Sequence, residues 1–231
     1  MGYRVRGLPR TLEELNQSLQ LLGSLRERGW HASAAIGRPI DGAHLPIPWL
    51  TYPAIDWLTP RLREHDAVFE FGSGHSTLWF ASRVASVHAV EHDSRWYRYV
   101  DRASPRNVHL LLKEGSHDAF NAASPTSPYV NAIADCSIDG FDVVLVDGVE
   151  RNDCIIAAIP YLKDSGLLIV DNSDRPGMRR GLDYLERHGF GRIDFVGLLP
   201  GLGILGCTSV CLRDGDRWLR TPAVRPRFLG W

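Results

Sequence analysis

Five short apolar runs separated by helical stretches constrain this chain more than any other feature. They fall at about 67–71, 86–91, 107–112, 141–147 and 166–170, and helical stretches begin between them near His75, Ser94, Ser116 and Asp153. Short strands without polar alternation are buried on both faces, and strands joined through helices run parallel, so the pattern predicts a doubly wound α/β sheet. After a helix near Met178–His188 come two more apolar runs, Arg192–Leu198 and Thr208–Leu212, separated only by the glycine-rich Pro200–Gly206. That link is too short for a crossover helix, so these two strands should pair antiparallel. The expected sheet has seven strands, mostly parallel, with the last reversed.

The remaining segments read as appendages to that sheet. Thr11 and Glu14 have the spacing of a capping box, and Leu12, Leu15, Leu19, Leu22 and Leu25 then recur at helical intervals, a stripe expected to pack on the core. Residues Trp30–Pro53 carry four prolines and several aromatics and read as an irregular strap, followed by a helix over about 54–63. Asn121–Gly140 reads as a polar insertion. The expected organisation is a helical N-terminal segment and strap over 1–65, a ligand-binding domain over 66–213, and a tail over 214–231. That tail ends in Phe228, Leu229 and Trp231, and packs back or meets another subunit, as in a homodimer.

Composition narrows the partners. With 26 basic against 27 acidic residues and a net charge of -1, the chain carries no global footprint for nucleic acid or an anionic membrane. Its four cysteines form no CxxC pair, which fits free, mostly buried thiols in a reducing cytoplasm better than disulfides or structural zinc. The opening MGYRVRGLPR is basic without a following apolar stretch, unlike a signal peptide, and no run reaches transmembrane length. A small-molecule partner in the cytoplasm is the expectation that remains.

The first strand leads into AVFEFGSGHSTL, where Gly72-Ser73-Gly74 stands between a buried strand and a helix start. Glycines there let the backbone turn sharply and approach a ligand closely. Nineteen residues after Gly72 the second strand ends in Glu91, the spacing at which a carboxylate can grip ribose hydroxyls. Together they describe a nucleotide-type pocket.

On these motifs residues 67–212 resemble the class I S-adenosylmethionine-dependent methyltransferases. The resemblance implies that Glu70, Gly72, Ser73 and Gly74 lie under the methionine part of S-adenosylmethionine, that Glu91 holds its ribose, and that His92 lies against the adenosine. Gly115 and Ser116, after the third strand, become adenine-edge candidates. A nicotinamide-dependent oxidoreductase is the competing reading, but its fingerprint has a third glycine where this chain has Thr77. A noncatalytic S-adenosylmethionine-binding module is the third.

The fourth and fifth strands end in Asp147 and in Asp171-Asn172, three oxygen side chains at the carboxyl rim of the sheet. Such a set suits a hard divalent cation such as Mg2+. It is similar to the catechol and caffeoyl-CoA O-methyltransferases, in which a metal chelates vicinal hydroxyls and lowers the pKa of the one methylated. Those enzymes carry a lysine base three or four residues after the first aspartate, whereas this chain has Arg151. An arginine is no base at neutral pH; it would hold an anionic substrate or turn toward solvent. A second version needs no metal, with Asp147 as general base on a hydroxyl or amine and Asp171 and Asn172 orienting it. The catalytic candidates are therefore Asp147 and Arg151, and the metal candidates Asp147, Asp171 and Asn172.

Overall fold

The computed structural model describes residues 11–116, 127–213 and 215–219. Its centre is a seven-stranded sheet built from β1 (Ala67–Phe71), β2 (Ser86–Glu91), β3 (Val108–Leu112), β4 (Phe141–Val146), β5 (Leu162–Asp171), β6 (Gly191–Leu199) and β7 (Leu202–Leu212). The order is β3-β2-β1-β4-β5-β7-β6, and only β7 runs against its neighbours. The chain winds outward one way from β1 and the other way from β4. The gap above the carboxyl ends of these two adjacent strands is therefore the natural crevice.

Every residue of β1 and β4 is buried, because the sheet separates two cores. Phe69, Phe71, Val144 and Val146 point to one side, where they meet Tyr129, Ile133, Ile155 and Leu185. Val68, Val143 and Leu145 point to the other, against Leu50, Leu58, Trp79 and Phe80. Alternation along a strand thus serves two apolar layers at once. Each such side chain contributes about 1.5–3 kcal/mol on burial. The layers are α4 (His75–Ala81), α5 (Ser94–Ala103), α6 (Arg151–Ala158) and α7 (Arg179–Arg187).

The N-terminal segment departs from expectation twice. Helix α1 (Leu12–Glu27) has its capping box, with the Glu14 amide donating to Thr11 Oγ1 and the Thr11 amide to Glu14 Oε2, both at 3.1 Å. Its leucine stripe does not pack: Leu12, Leu15, Leu19 and Leu22 are exposed, Leu12 to 86%. Local propensity and capping carry this helix, which meets the helix that follows it and, through the Glu27 carbonyl, Gly42 without covering its leucine stripe. The strap is also more regular than its prolines imply, since α2 (Trp30–Ile36) occupies its first turns. Gly29 enters it at φ 79°, and a Cβ there would lie 2.3 Å from the backbone of Ile40 and Asp41. Trp30 and Trp49 then donate their indole N–H groups to the Leu202 and Pro200 carbonyls, fastening the strap to the β6–β7 turn. Helix α3 (Tyr52–Leu58) follows, with Pro53 in its first turn.

Part of the expected polar insertion is core. A 3-10 turn over Val130–Asp135 buries Val130, Ala132 and Ile133, and Tyr129 beside it is wholly enclosed. Glu150, at φ 49°, accepts from the Ser116 amide at 2.5 Å and the Ser127 hydroxyl at 3.1 Å through one oxygen. The first half of that insertion and the helix expected near Ser116 fall largely outside the described residues. Of the tail, the short helix α8 (Asp216–Leu219) does pack back: Trp218 is fully buried and donates to the Ser165 carbonyl. Phe228, Leu229 and Trp231 lie outside the described residues, as does MGYRVRGLPR. Cys136, Cys154, Cys207 and Cys211 are free thiols, the last three buried. Among the described residues no helix is long and apolar enough to cross a membrane.

Candidate active site

Beyond Phe71 the chain turns at Gly72, whose φ of 100° is open to glycine and strained for other residues. A Cβ on Gly72 would meet the N and Cα of Gly148 at 3.0 Å, so the loops after β1 and β4 touch backbone to backbone. Ser73 then donates its amide and hydroxyl to Glu91 Oε2, at 3.2 and 3.0 Å. The other oxygen, Oε1, accepts from the His92 and Asp93 amides at 2.7 and 2.9 Å. Glu91 is thereby the clasp between the glycine loop and the end of β2. Its carboxylate, with two donors on each oxygen, lines a cleft of about 470 Å³, a size that suits a small ligand.

Asp93 caps α5 by accepting from the Arg95 and Trp96 amides, bonds that hold its carboxyl below the ordinary value. Trp96, in the first turn of that helix, donates its indole N–H to the Ser73 carbonyl at 2.6 Å and walls the cleft. His75 has the local hydrogen-bonding role its position implies. Its Nδ1–H donates to the Pro39 carbonyl at 2.7 Å, which leaves Nε2 to accept from the Tyr99 hydroxyl at 3.2 Å.

Glu70 lies beneath the loop, wholly buried. Burial pushes its carboxyl up to about 8, against the Thr77 and Ser76 hydroxyls, which favour the charged form; the neighbouring Asp147 adds to the rise. Neither carboxyl oxygen completes a hydrogen bond. Thr77 Oγ1 instead accepts from the Gly74 amide at 3.0 Å. Glu70 is therefore neither a cap nor part of the cleft surface.

Opposite the loop, Asp147, Asp171 and Asn172 converge as expected, and a guanidinium lies among them. Arg151 Nε donates to the Gly148 carbonyl at 2.8 Å. Its Nη1 donates to the Asp171 carbonyl and Asn172 Oδ1 at 2.8 and 3.2 Å, and its Nη2 to the Asp147 carbonyl and carboxylate at 2.7 and 3.1 Å. Arg151 is buried and engaged, which corrects the expectation that it would hold a substrate anion or turn to solvent. Asp171 accepts from Thr208 and Asn172, both at 2.7 Å. Burial, and then the nearby Asp147 charge, push it up to about 8; Asp147 is itself raised by burial against the pull of Arg151. The set does not fit a divalent ion: Arg151 already uses the inward oxygens. Among the described residues no group of three His, Cys, Asp or Glu side chains is arranged to hold a metal.

No protein family's sequence model matches the chain, and no curated protein matches it. Solved structures do. The O-methyltransferase TomG from Streptomyces achromogenes, involved in tomaymycin synthesis and solved with S-adenosylmethionine, is 15% identical over 84% of this chain and 95% of its own, with a TM-score of 0.56. A methyltransferase from Geobacter sulfurreducens is 16% identical over 90% of this chain and all of its own, with a TM-score of 0.51. The chain has the class I methyltransferase fold. Spermidine synthase from Thermotoga maritima shares it at 10% identity over 69% of this chain and 56% of its own, with a TM-score of 0.52. A class I methyltransferase fold therefore does not by itself fix the group transferred.

Within this methyltransferase fold, Gly72, Ser73, Glu91, His92 and Asp147 all line one cleft. Gly74 stands one residue behind, its Cα side facing Trp96. Gly115 packs on Tyr129 and Val149, and Ser116 bonds to Glu150, so both sit behind the Val149 wall. The sequence reading missed Ser76, Asp93, Trp96, Gly148 and Val149 in the lining. Gly148 had a usable signal, a glycine directly after a strand-end aspartate; Trp96 had none.

Proposed function

We propose that this protein is an S-adenosylmethionine-dependent methyltransferase acting on a hydroxyl of a small molecule. The observation that carries the reading is the clasp of Ser73 on Glu91 beside the Gly72–Gly148 contact. Ribose hydroxyls would reach this preset carboxylate by taking the place of the Ser73 donors, above a side-chain-free floor for the rest of the ligand. Carboxyls of Glu91, Asp93 and Asp147 surround the cleft, which favours a cationic cofactor.

The reaction is an in-line displacement. The acceptor oxygen forms a bond to the methyl carbon while the S–CH3 bond breaks, its electron pair staying on sulfur, which becomes a neutral thioether. The acceptor proton passes to Asp147, the rim carboxylate that faces the cleft. Holding the oxygen near attack distance is the main contribution of the site. A cytoplasmic small-molecule acceptor, with no nucleic acid or membrane partner, accords with the near-neutral chain charge.

Calorimetric titration with S-adenosylmethionine, S-adenosylhomocysteine and NADH tests the proposal. Binding of the first two is expected. Binding of NADH alone would replace it with the oxidoreductase reading, and no turnover with any acceptor despite tight binding would favour a binding module.

A further inference from the structure

We infer that Arg151 is a built-in cation for the rim formed by Asp147, Asp171 and Asn172, so that this site engages its acceptor directly through Asp147 and not through a chelated divalent metal. The inference deepens the methyl-transfer reading and rests on it for the reaction; the occupancy of the rim stands on geometry alone.

The bonds of Arg151 engage its Nε, Nη1 and Nη2 alike. Three go to the carbonyls of Asp147, Gly148 and Asp171, at the ends of β4 and β5, and two to the side chains of Asp147 and Asn172. Asp147 Oδ1 and Asn172 Oδ1, which a divalent ion would take, thus already accept from the guanidinium. Both Asp171 carboxyl oxygens are occupied by Thr208 and Asn172. A second cation here would displace these bonds and face the guanidinium at close range.

Arg151 cannot readily swing away. Its side chain is 9% exposed, and it opens α6 directly after the left-handed Glu150. The next residue locks that turn, since Asn152 donates to the Gly177 carbonyl at 2.7 Å and accepts from the Gly181 amide at 2.7 Å. Of the three rim side chains only Asp147 lines the cleft. A single O–H or N–H donor on the acceptor is therefore the group the rim can recognise, and a vicinal diol gains nothing from its second hydroxyl. Arg151 acts through Asp147 and is a positioning residue.

The test begins with S-adenosylmethionine calorimetry, whose failure would remove the methyl-transfer reading without touching the rim. Mn2+ is then titrated into the wild-type protein, with and without S-adenosylhomocysteine, and free ion is followed by electron paramagnetic resonance. The free signal should rise in proportion to added metal. Retention of one equivalent that disappears in Asp171→Asn would overturn the inference, whereas retention unaffected by that change lies elsewhere and leaves it standing. In Arg151→Ala the emptied oxygens should retain one Mn2+, and Asp171→Asn should abolish it again. An Arg151→Ala protein that melts cooperatively yet retains no Mn2+ would show that the rim is not built around a cation. If that variant does not fold, the wild-type titration still decides.

Discussion

The two ends of the sheet treat buried acids in opposite ways. At the amino end, Asp66 and Asp142 share Arg217, and Asp142 also meets Lys163 at 2.8 Å and the Ala67 amide at 3.0 Å. Burial alone would raise Asp142, but the Lys163 and Ala67 bonds with the Arg217 charge outweigh it and hold the carboxyl below its ordinary value. At the carboxyl end Glu70, Asp147 and Asp171 are all raised, because burial exceeds what their partners return. One end is satisfied within the chain, and the other keeps a surplus of acid around a cleft. The difference separates the two ends: the surplus acid lies at the rim and beneath it, and of the three only Asp147 faces the cleft.

The comparison breaks most visibly at the amino end. Arg217→Ala leaves two buried aspartates without their shared cation and should destabilise the fold by about 3–5 kcal/mol, read from urea unfolding. Cofactor affinity of the protein that remains folded should be unchanged; a large loss would mean that the two ends are not independent. At the carboxyl end, Glu91→Gln replaces the carboxylate that joins Ser73 to β2. It should weaken S-adenosylmethionine binding by roughly 10- to 100-fold, corresponding to about 1.5–3 kcal/mol for bonds to a charged group, with a smaller effect on melting.

A pH series sharpens the contrast further. Glu70 and Asp171 titrate near 8 in the folded protein and near their ordinary carboxyl values when unfolded, so between about pH 4 and 8 the folded state binds more protons. Their contribution to stability is full below that window and is lost as pH rises through it, with a limiting slope of about 1.4 kcal/mol per pH unit for each group. Glu70→Gln should flatten the ligand-free profile; a profile that rises with pH in both proteins would contradict the carboxyl-end picture. The smallest effect belongs to a region outside both ends. Leu15→Gln and Leu19→Gln on α1 should each change stability by less than about 0.5 kcal/mol in the same unfolding assay, as expected of exposed positions.

Much of the sheet was legible because it is buried on both faces. Ala67–Phe71 and Ser86–Glu91 have the expected limits, since continuous apolar runs end where the chain reaches the rim. Glu91 and Asp147 were legible for the same reason, as polar residues that close such runs. The leucine stripe of α1 misled because periodicity reports an apolar face and not a surface to cover it. WHASAAI hid its helix among prolines, and the buried Val130–Ile133 turn was masked by polar neighbours. Arg151 four residues after Asp147 was visible as a spacing. Its reach into the rim depends on the left-handed turn at Glu150, which is a backbone event that no local residue preference announces.

Glu150 has one more consequence. Because a single carboxyl oxygen receives both Ser116 and Ser127, Glu150 ties the chain after β3, the approach to Val130 and the start of α6 together at one node. Replacing Glu150 would therefore loosen the entry to α6, and with it the seat of Arg151, from a position that does not line the cleft.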